Sequence, residues 1–297
     1  RRPECRPFSI WEGKRVKNNK RYLLQVHGAV LLFGLSGLFG KLDQPAMVIT
    51  LGRVVFSALF LLVLLNLRHI PYRVSGRQLA ALAGLGAVLA FHWCSFYQAI
   101  QLSTVAIGLL TFSSFPIFVT FLEPLFFRRT LRGQDALAAA VAFGGIALVA
   151  PVSGGGAWQG VLWGLLSGLS YALLGLLNKK TVDHLPAPVI SFYEQAAAAV
   201  YLLPSLLWLR PRFTLGEVGL LALLGVVFTA ISHTLFIGGL KGVRAQTASV
   251  ISSLEPVYGI LFAALFLGEI PSAREILGGL VVLACALWVT KNGEKTS

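Results

Sequence analysis

Residues 49–66 read ITLGRVVFSALFLLVLLN, eighteen consecutive residues with a single charge, Arg53. Coiled as an α-helix, the run is about 27 Å long, close to the ~30 Å hydrocarbon core of a bilayer. It has no polar face to turn to water, and in lipid a helix satisfies every backbone hydrogen bond within itself. The rest of the 297-residue chain is built the same way: 56% of residues are hydrophobic and 12% are charged. A soluble globular chain carries about 25% charged residues. No soluble core of this size hides so much apolar surface. The composition therefore specifies an all-α integral membrane protein and excludes a soluble enzyme.

Working outward from that run, ten apolar segments separate at charged or Pro/Gly-rich breaks: 23–40, 49–66, 78–97, 105–127, 134–151, 159–178, 188–208, 218–238, 246–268 and 274–290. Alternating apolar strands of about ten residues, the mark of a membrane β-barrel, are absent from the sequence. With both termini on the cytoplasmic side, 20 of the 25 Lys and Arg residues fall inside, the orientation that the positive-inside rule selects. The net charge of +13 is thus a topology signal, and no nucleic-acid partner is needed to explain it. Residues 1–22 are expected to be a basic cytoplasmic tail, with a natural start near Val16, and residues 291–297 a short cytoplasmic tail.

The chain also matches itself. At a shift of 141, Ile49 falls on Ile190, Gly84 on Gly225 and His92 on His233; at 140, Ser113 falls on Ser253 and Pro116 on Pro256. Gly34-Leu35-Ser36 recurs as Gly168-Leu169-Ser170. These matches divide the protein into two five-helix repeats, 23–151 and 159–290. Five is odd, so the second repeat enters from the opposite face. The expected architecture is ten transmembrane helices in two inverted repeats, an arrangement that secondary transporters use to build a substrate site near the midplane.

Leu254-Glu255-Pro256-Val257-Tyr258-Gly259-Ile260, running on to Leu267-Gly268-Glu269, resembles the ninth-helix segment of the EamA-type, ten-helix branch of the drug/metabolite transporter superfamily. Phe33-Gly34-Leu35-Ser36 with Lys41 resembles that branch's first-helix pattern, with Phe in place of Trp. Arg53 matches a basic position of its second helix, and Ser170-Tyr171-Ala172 with Asn178-Lys179-Lys180 resembles its sixth. The first half departs from the pattern, with Phe115-Pro116 where the second has Glu255-Pro256, and Glu123-Pro124 coming later. The resemblance spans residues 23–290 and implies export or exchange of small metabolites, amino acids and related compounds among them, through a central cavity.

Ionisable groups within spans cost at least ~2.5–3.5 kcal/mol on insertion, so each needs a reason. Arg53 and Glu194 match at a shift of 141. Arg53 offers a planar fork to a carboxylate or phosphate, and Glu194 takes an ammonium group or a proton; alternatively the two pair, or Arg53 snorkels to an interface. Glu255 precedes Pro256 and is either a second proton-coupling candidate or a cap at a kink, with Pro116 making the matching bend. Glu123 is expected to pair locally with Arg128 and Arg129. His92 and His233 line the cavity or serve as hydrogen-bonded structure, and His27 is a weaker candidate of the same kind. Among the aromatics Trp93, Tyr97, Trp163, Tyr171, Tyr193 and Tyr258, the last two lie beside or near a carboxylate in sequence and join the substrate-binding candidates; packing or an interface belt is their alternative. Gly160, Gly164 and Gly168 give one smooth helix face for close packing and for sliding.

Three cysteines make neither a disulfide framework nor an all-cysteine zinc site, and the dispersed histidines lack metal-ligand spacing. The glycines at 154–156 lack a phosphate-binding lysine, and no nucleophile elbow or metalloprotease motif is present. No cofactor is expected. The function expected is a secondary transporter of a small polar metabolite in a bacterial inner membrane, by export or exchange. The alternatives are a translocator of lipid-linked or nucleotide-sugar substrates and, from another class, a membrane-embedded enzyme with His92 or His233 as base. The expected partners are the small-molecule substrate, the lipid bilayer and a coupling proton or other ion, with a homodimer as a further candidate.

Overall fold

The computed structural model describes residues 20–127, 133–149, 157–243 and 245–294. The expected pairing of Glu123 with Arg128 and Arg129, the loop at 153–156 and the tail up to residue 19 lie outside the described residues. Among the described residues every regular element is helical. In the first half these are α1 (Lys20–Ser36, extended by a 3-10 turn at Gly37–Lys41), α2 (Ala46–Leu67), α3 (Gly76–Leu102), α4 (Val105–Phe112), α5 (Phe115–Phe127) and α6 (Gly133–Val149). The second half has α7 (Ala157–Thr181), α8 (Ala187–Leu202), α9 (Leu206–Leu209), α10 (Leu215–Gly225), α11 (Ser232–Leu240), α12 (Ala245–Ser252), α13 (Glu255–Leu267) and α14 (Ala273–Glu294). A π turn, Val226–Ile231, joins α10 to α11 without a break. Among the described residues six stretches are long and apolar enough to cross a bilayer: Lys20–Lys41, Ala46–Leu67, Gly76–Leu102, Val105–Phe126, Trp158–Thr181 and Leu215–Leu240.

Local sequence sets the ends of these helices. The Ser75 hydroxyl accepts from the Gln78 N–H at the start of α3 while the Ser75 N–H donates to the Gln78 side chain, and Thr214 does the same for α10 with Glu217, which satisfies orphan donors at each start. The break between α4 and α5 falls at Ser113 and Ser114, just ahead of Pro116. Proline cannot donate to the preceding turn but suits a helix's first turn, so the helix stops and restarts. Ser113 and Ser114 donate back to the carbonyls of Leu109 and Thr111, at 2.7 and 2.8 Å. Pro256 stands at the same point of α13, after a break at Ser253 and Leu254.

Polarity is inverted relative to a water-soluble fold. Leu59, Val63, Leu137, Leu261, Leu265 and Phe266 are exposed, whereas Thr50, Arg53, His92, Glu194, Gln195 and His233 are buried. Apolar residues facing outward all round are what lipid, as the solvent, permits.

Element boundaries recur along the chain. α8 starts 141 residues after α2, α10 starts 139 after α3, and α12 and α13 begin and end 140 after α4 and α5. Packing recurs as well: α3 lies on α7 as α11 lies on α1, and α3 lies on α8 as α10 lies on α2. α2 faces α8, α4 faces α13, and α6 lies along α14. Two glycines permit the closest of these approaches. A Cβ on Gly86 would sit 2.5 Å from the Ala197 Cβ and 2.7 Å from the Glu194 carbonyl oxygen. One on Gly225 would sit 2.5 Å from the Phe56 Cβ and 2.7 Å from the Arg53 carbonyl oxygen. The partner of Gly225 is thus Gly86 and not Gly84, whose side faces open space.

Candidate substrate-binding site

A cavity lies among α1, α2, α3, α7, α11 and the α4–α5 and α12–α13 breaks, with Ser36, Arg53, His92, Trp93, Tyr171, His233 and Glu255 on its wall. Arg53 is 1% exposed. Its Nε donates to Thr229 Oγ1 at 3.0 Å, one terminal nitrogen donates to the Tyr97 hydroxyl at 2.9 Å, and the other makes a longer 3.5 Å contact with the Phe228 carbonyl. The guanidinium carbon sits 3.8 Å above the Trp93 ring, a cation–π stack that is strongest when desolvated. Three of its five N–H groups are so engaged, and two are left for a ligand.

His233 packs edge-on against the Trp93 ring, with centroids 5.7 Å apart. His233 Nε2 is 2.7 Å from Glu194 Oε2, with both side chains nearly or fully buried. The other carboxylate oxygen of Glu194 is buried without a hydrogen bond, an acceptor that costs free energy until something fills it. The cavity wall thus joins a cation, a neutral ring and an imidazole, and behind the imidazole lies the Glu194 carboxyl.

His92 is fastened differently. Its Nδ1 lies 3.1 and 3.0 Å from the Ser167 carbonyl and hydroxyl oxygens, and its ring lies 5.0 Å from that of Tyr171 and 5.6 Å from that of Phe112. It lines the cavity while tying α3 to α7. Glu255 opens α13 beneath the same cavity.

Three of the candidates named from sequence are not on the cavity wall, and Glu194 reaches it only through His233. Tyr193 donates its hydroxyl to the Tyr72 carbonyl at 2.8 Å, holding α8 to the connection before α3. Tyr258 is half-buried with its Cβ against Gly34, where α13 meets α1. His27 is exposed on the outer face of α1. Gly160, Gly164 and Gly168 seat α7 against Ser103, Thr111 and Phe112, the close-packing role. Thr229 was invisible as a site residue, because the register that delivers it is a π turn.

One end of the bundle is held by polar contacts between connections. Lys41 reaches Glu269 at 3.0 Å and the Ser103 carbonyl at 3.2 Å, while Glu269 also accepts from the Val105 backbone N–H at 3.0 Å. Gln44 donates to the Arg212 carbonyl and to Glu217, and accepts from Gln101 through its own carbonyl. These bonds join the α1 end, the α3–α4 connection, the start of α10 and the α13–α14 connection.

The family profile described as the EamA-like transporter family matches the chain twice, over residues 20–150 and 158–291. The chain belongs to the EamA-like transporter family. This EamA-like chain is therefore a multi-pass membrane transporter of the drug/metabolite superfamily rather than an enzyme. It is 29% identical to an uncharacterized transporter of Archaeoglobus fulgidus over 88% of this chain and 93% of that one. It is 24% identical to an S-adenosylmethionine uptake transporter of Rickettsia bellii, covering 71% and 72%. A probable amino-acid metabolite efflux pump of Salmonella typhimurium is 26% identical, covering 69% and 75%. A solved crystal structure of a protein aligns over 93% of this chain and 98% of its own with a TM-score of 0.68 at 16% identity, a likeness of fold alone.

Proposed function

We propose that the protein is a ten-crossing secondary carrier of two inverted repeats, 23–151 and 159–290, that moves a small zwitterionic metabolite, an amino acid or related compound, by alternating access. Arg53 takes the carboxylate through its two spare N–H groups. The Glu194–His233 pair takes the ammonium end or a coupling proton, with Glu255 the second coupling candidate on the wall. The observation that carries this reading is the buried Arg53 stacked on Trp93 with the unfilled oxygen of Glu194 on the far side of His233.

The ten-crossing count adds 133–149, 187–209, 245–267 and 273–294 to the six stretches given above. The reciprocal packing of α3 on α7 and α11 on α1, and of α3 on α8 and α10 on α2, supports a two-fold relation of the halves, and five crossings in each half make that relation an inversion. Two relatives carry names on either side of the direction of transport, uptake for one and efflux for the other, and both named cargoes contain or derive from an amino acid. Export or exchange across a bacterial inner membrane is the reading we adopt, with both termini cytoplasmic.

Counterflow in proteoliposomes tests it. Vesicles loaded with unlabelled L-amino acids should accumulate labelled counterparts from outside. Absence of accumulation from every pool of amino acids and their derivatives would remove the zwitterion reading.

Alternating access also requires that the Lys41–Glu269 end come apart. The pair is 28% exposed on both sides, so it contributes only ~0–1 kcal/mol, and neutralising Lys41 should change uptake less than about fivefold. Bridging the two positions covalently is the sharper test. With Cys5, Cys94 and Cys285 replaced by alanine, Lys41→Cys/Glu269→Cys joined by a short bifunctional thiol reagent should lose at least nine-tenths of its uptake, relative to either single cysteine so treated. Uptake that survives the bridge would show that this end does not open.

A further inference from the structure

We infer that Thr229 is a positioning residue for Arg53, and that the π turn at Val226–Ile231 exists to bring it there. The inference rests on the reading that Arg53 receives a substrate carboxylate, and it adds what holds the guanidinium in register. Thr229 has one hydroxyl proton and spends it on the Leu224 carbonyl at 2.7 Å, five residues back, which is the spacing of a π turn. Its oxygen is thereby turned to accept from Arg53 Nε at 3.0 Å. The neighbouring Phe228 carbonyl, in the same turn, lies 3.5 Å from the other end of the guanidinium.

The matching helix of the first half, α3, runs without such a turn. Its contribution to Arg53 is the Trp93 face and the Tyr97 hydroxyl. The extra residue accounts for the spacing of the halves, 139 where α3 and α10 begin and 140 from α4 and α12 onward. It also puts His233 opposite Trp93 rather than opposite His92: His233 bonds Glu194 just where Trp93 stacks on Arg53. One half thus presents an aromatic face, and the other, by one inserted residue, presents a hydroxyl and a carbonyl. With Nε held by Thr229, the unpartnered N–H groups are confined to the two terminal nitrogens, in a fixed plane over Trp93. A carboxylate is therefore met in one orientation, and a cation without a fork, such as lysine, cannot reproduce it.

Two measurements on the full chain test this. In nanodiscs containing protein labelled with 15Nε-arginine, with the Arg53 signal assigned by its loss in Arg53→Lys, Thr229→Val should speed exchange of the Arg53 Nε–H with water at least tenfold. Thr229→Ser, which keeps the acceptor, should stay within threefold of the parent. In proteoliposomes, Thr229→Val should raise the KM for the labelled L-amino-acid pool roughly tenfold, as loss of a hydrogen bond to a charged group does. Its maximal rate should stay within threefold, and the serine variant should restore the KM. Unchanged Nε–H exchange in the valine variant overturns the proposal, as does a serine variant that fails to rescue. If no pool is transported by the parent protein, the zwitterion reading falls while the exchange measurement still decides whether Thr229 holds Arg53.

Discussion

Counterflow uptake of the labelled amino-acid pool should fall at least about thirtyfold in Arg53→Ala, while the amount of protein reaching the membrane stays level or rises. The two effects have opposite signs for one physical reason. An arginine within a span is costly on insertion, ~2.5–3.5 kcal/mol at a helix centre, so its removal eases entry of α2. In the folded protein the same charge is held over Trp93 and bonded to Tyr97 and Thr229, ready to meet an anionic group. Removing one partner of a buried, hydrogen-bonded charge pair costs ~2–5 kcal/mol, and every 1.4 kcal/mol is tenfold in affinity. Arg53→Lys keeps the charge and loses the fork, so it should fall between parent and alanine. Uptake by Arg53→Ala within threefold of the parent, at equal membrane content, would dismiss Arg53 from the pathway. Reduced membrane content would overturn the claim that its cost is borne at insertion.

The second large effect concerns packing. Gly86→Ala and Gly225→Ala should each lower the thermal midpoint of the detergent-solubilised protein by several degrees and reduce uptake together with it. Each added Cβ would meet a carbonyl oxygen at 2.7 Å and a facing Cβ at 2.5 Å. Helix backbone cannot retreat as a flexible side chain does, so the cost belongs at the upper end of the ~1–3 kcal/mol typical of overpacking. At ~2–4 °C per kcal/mol for a domain of 150–250 residues, roughly 6–12 °C results. The carbonyls displaced are those of Glu194 and Arg53 themselves, so the site moves with the helices. Gly84→Ala and Gly219→Ala are the controls: nothing lies within 4 Å of either new Cβ, and exchanging a helical Gly for Ala is neutral or stabilising. Equal midpoints for Gly84→Ala and Gly86→Ala would refute the tight seating of α3 on α8.

Much of the fold is legible because lipid imposes a length and a polarity on each segment. The run at 49–66 falls within α2, and the run at 105–127 spans α4 and α5 with Pro116 marking where they part. Arg53, His92, His233 and Glu255 could be named because a polar group among apolar residues needs a reason, and all four reach one cavity. Tyr193 misled by adjacency: successive residues of a helix point about 100° apart, so the neighbour of Glu194 faces Tyr72. The match of His92 to His233 at a constant shift hides a connection shortened by two residues and a π turn lengthened by one. A shift taken from one helix start does not survive to the next, and a π turn leaves no mark in hydrophobic periodicity. Thr229 was therefore beyond the reach of sequence reading, although it makes the 3.0 Å bond to Arg53 Nε.

The bonds of Arg53 also set a timetable. Its Tyr97 partner follows 44 residues later in the chain, and its Thr229 partner 176 residues later. At ~5–20 residues per second of synthesis, α3 becomes available within roughly 2–9 s, but the hydroxyl for Nε arrives only after about 9–35 s. During that interval the nascent first half holds a charged helix in the bilayer with only its own aromatic residues for company. Completion of the binding site is thus a late event of biogenesis, and a chain released before residue 229 leaves the ribosome with the Nε of Arg53 still lacking its acceptor.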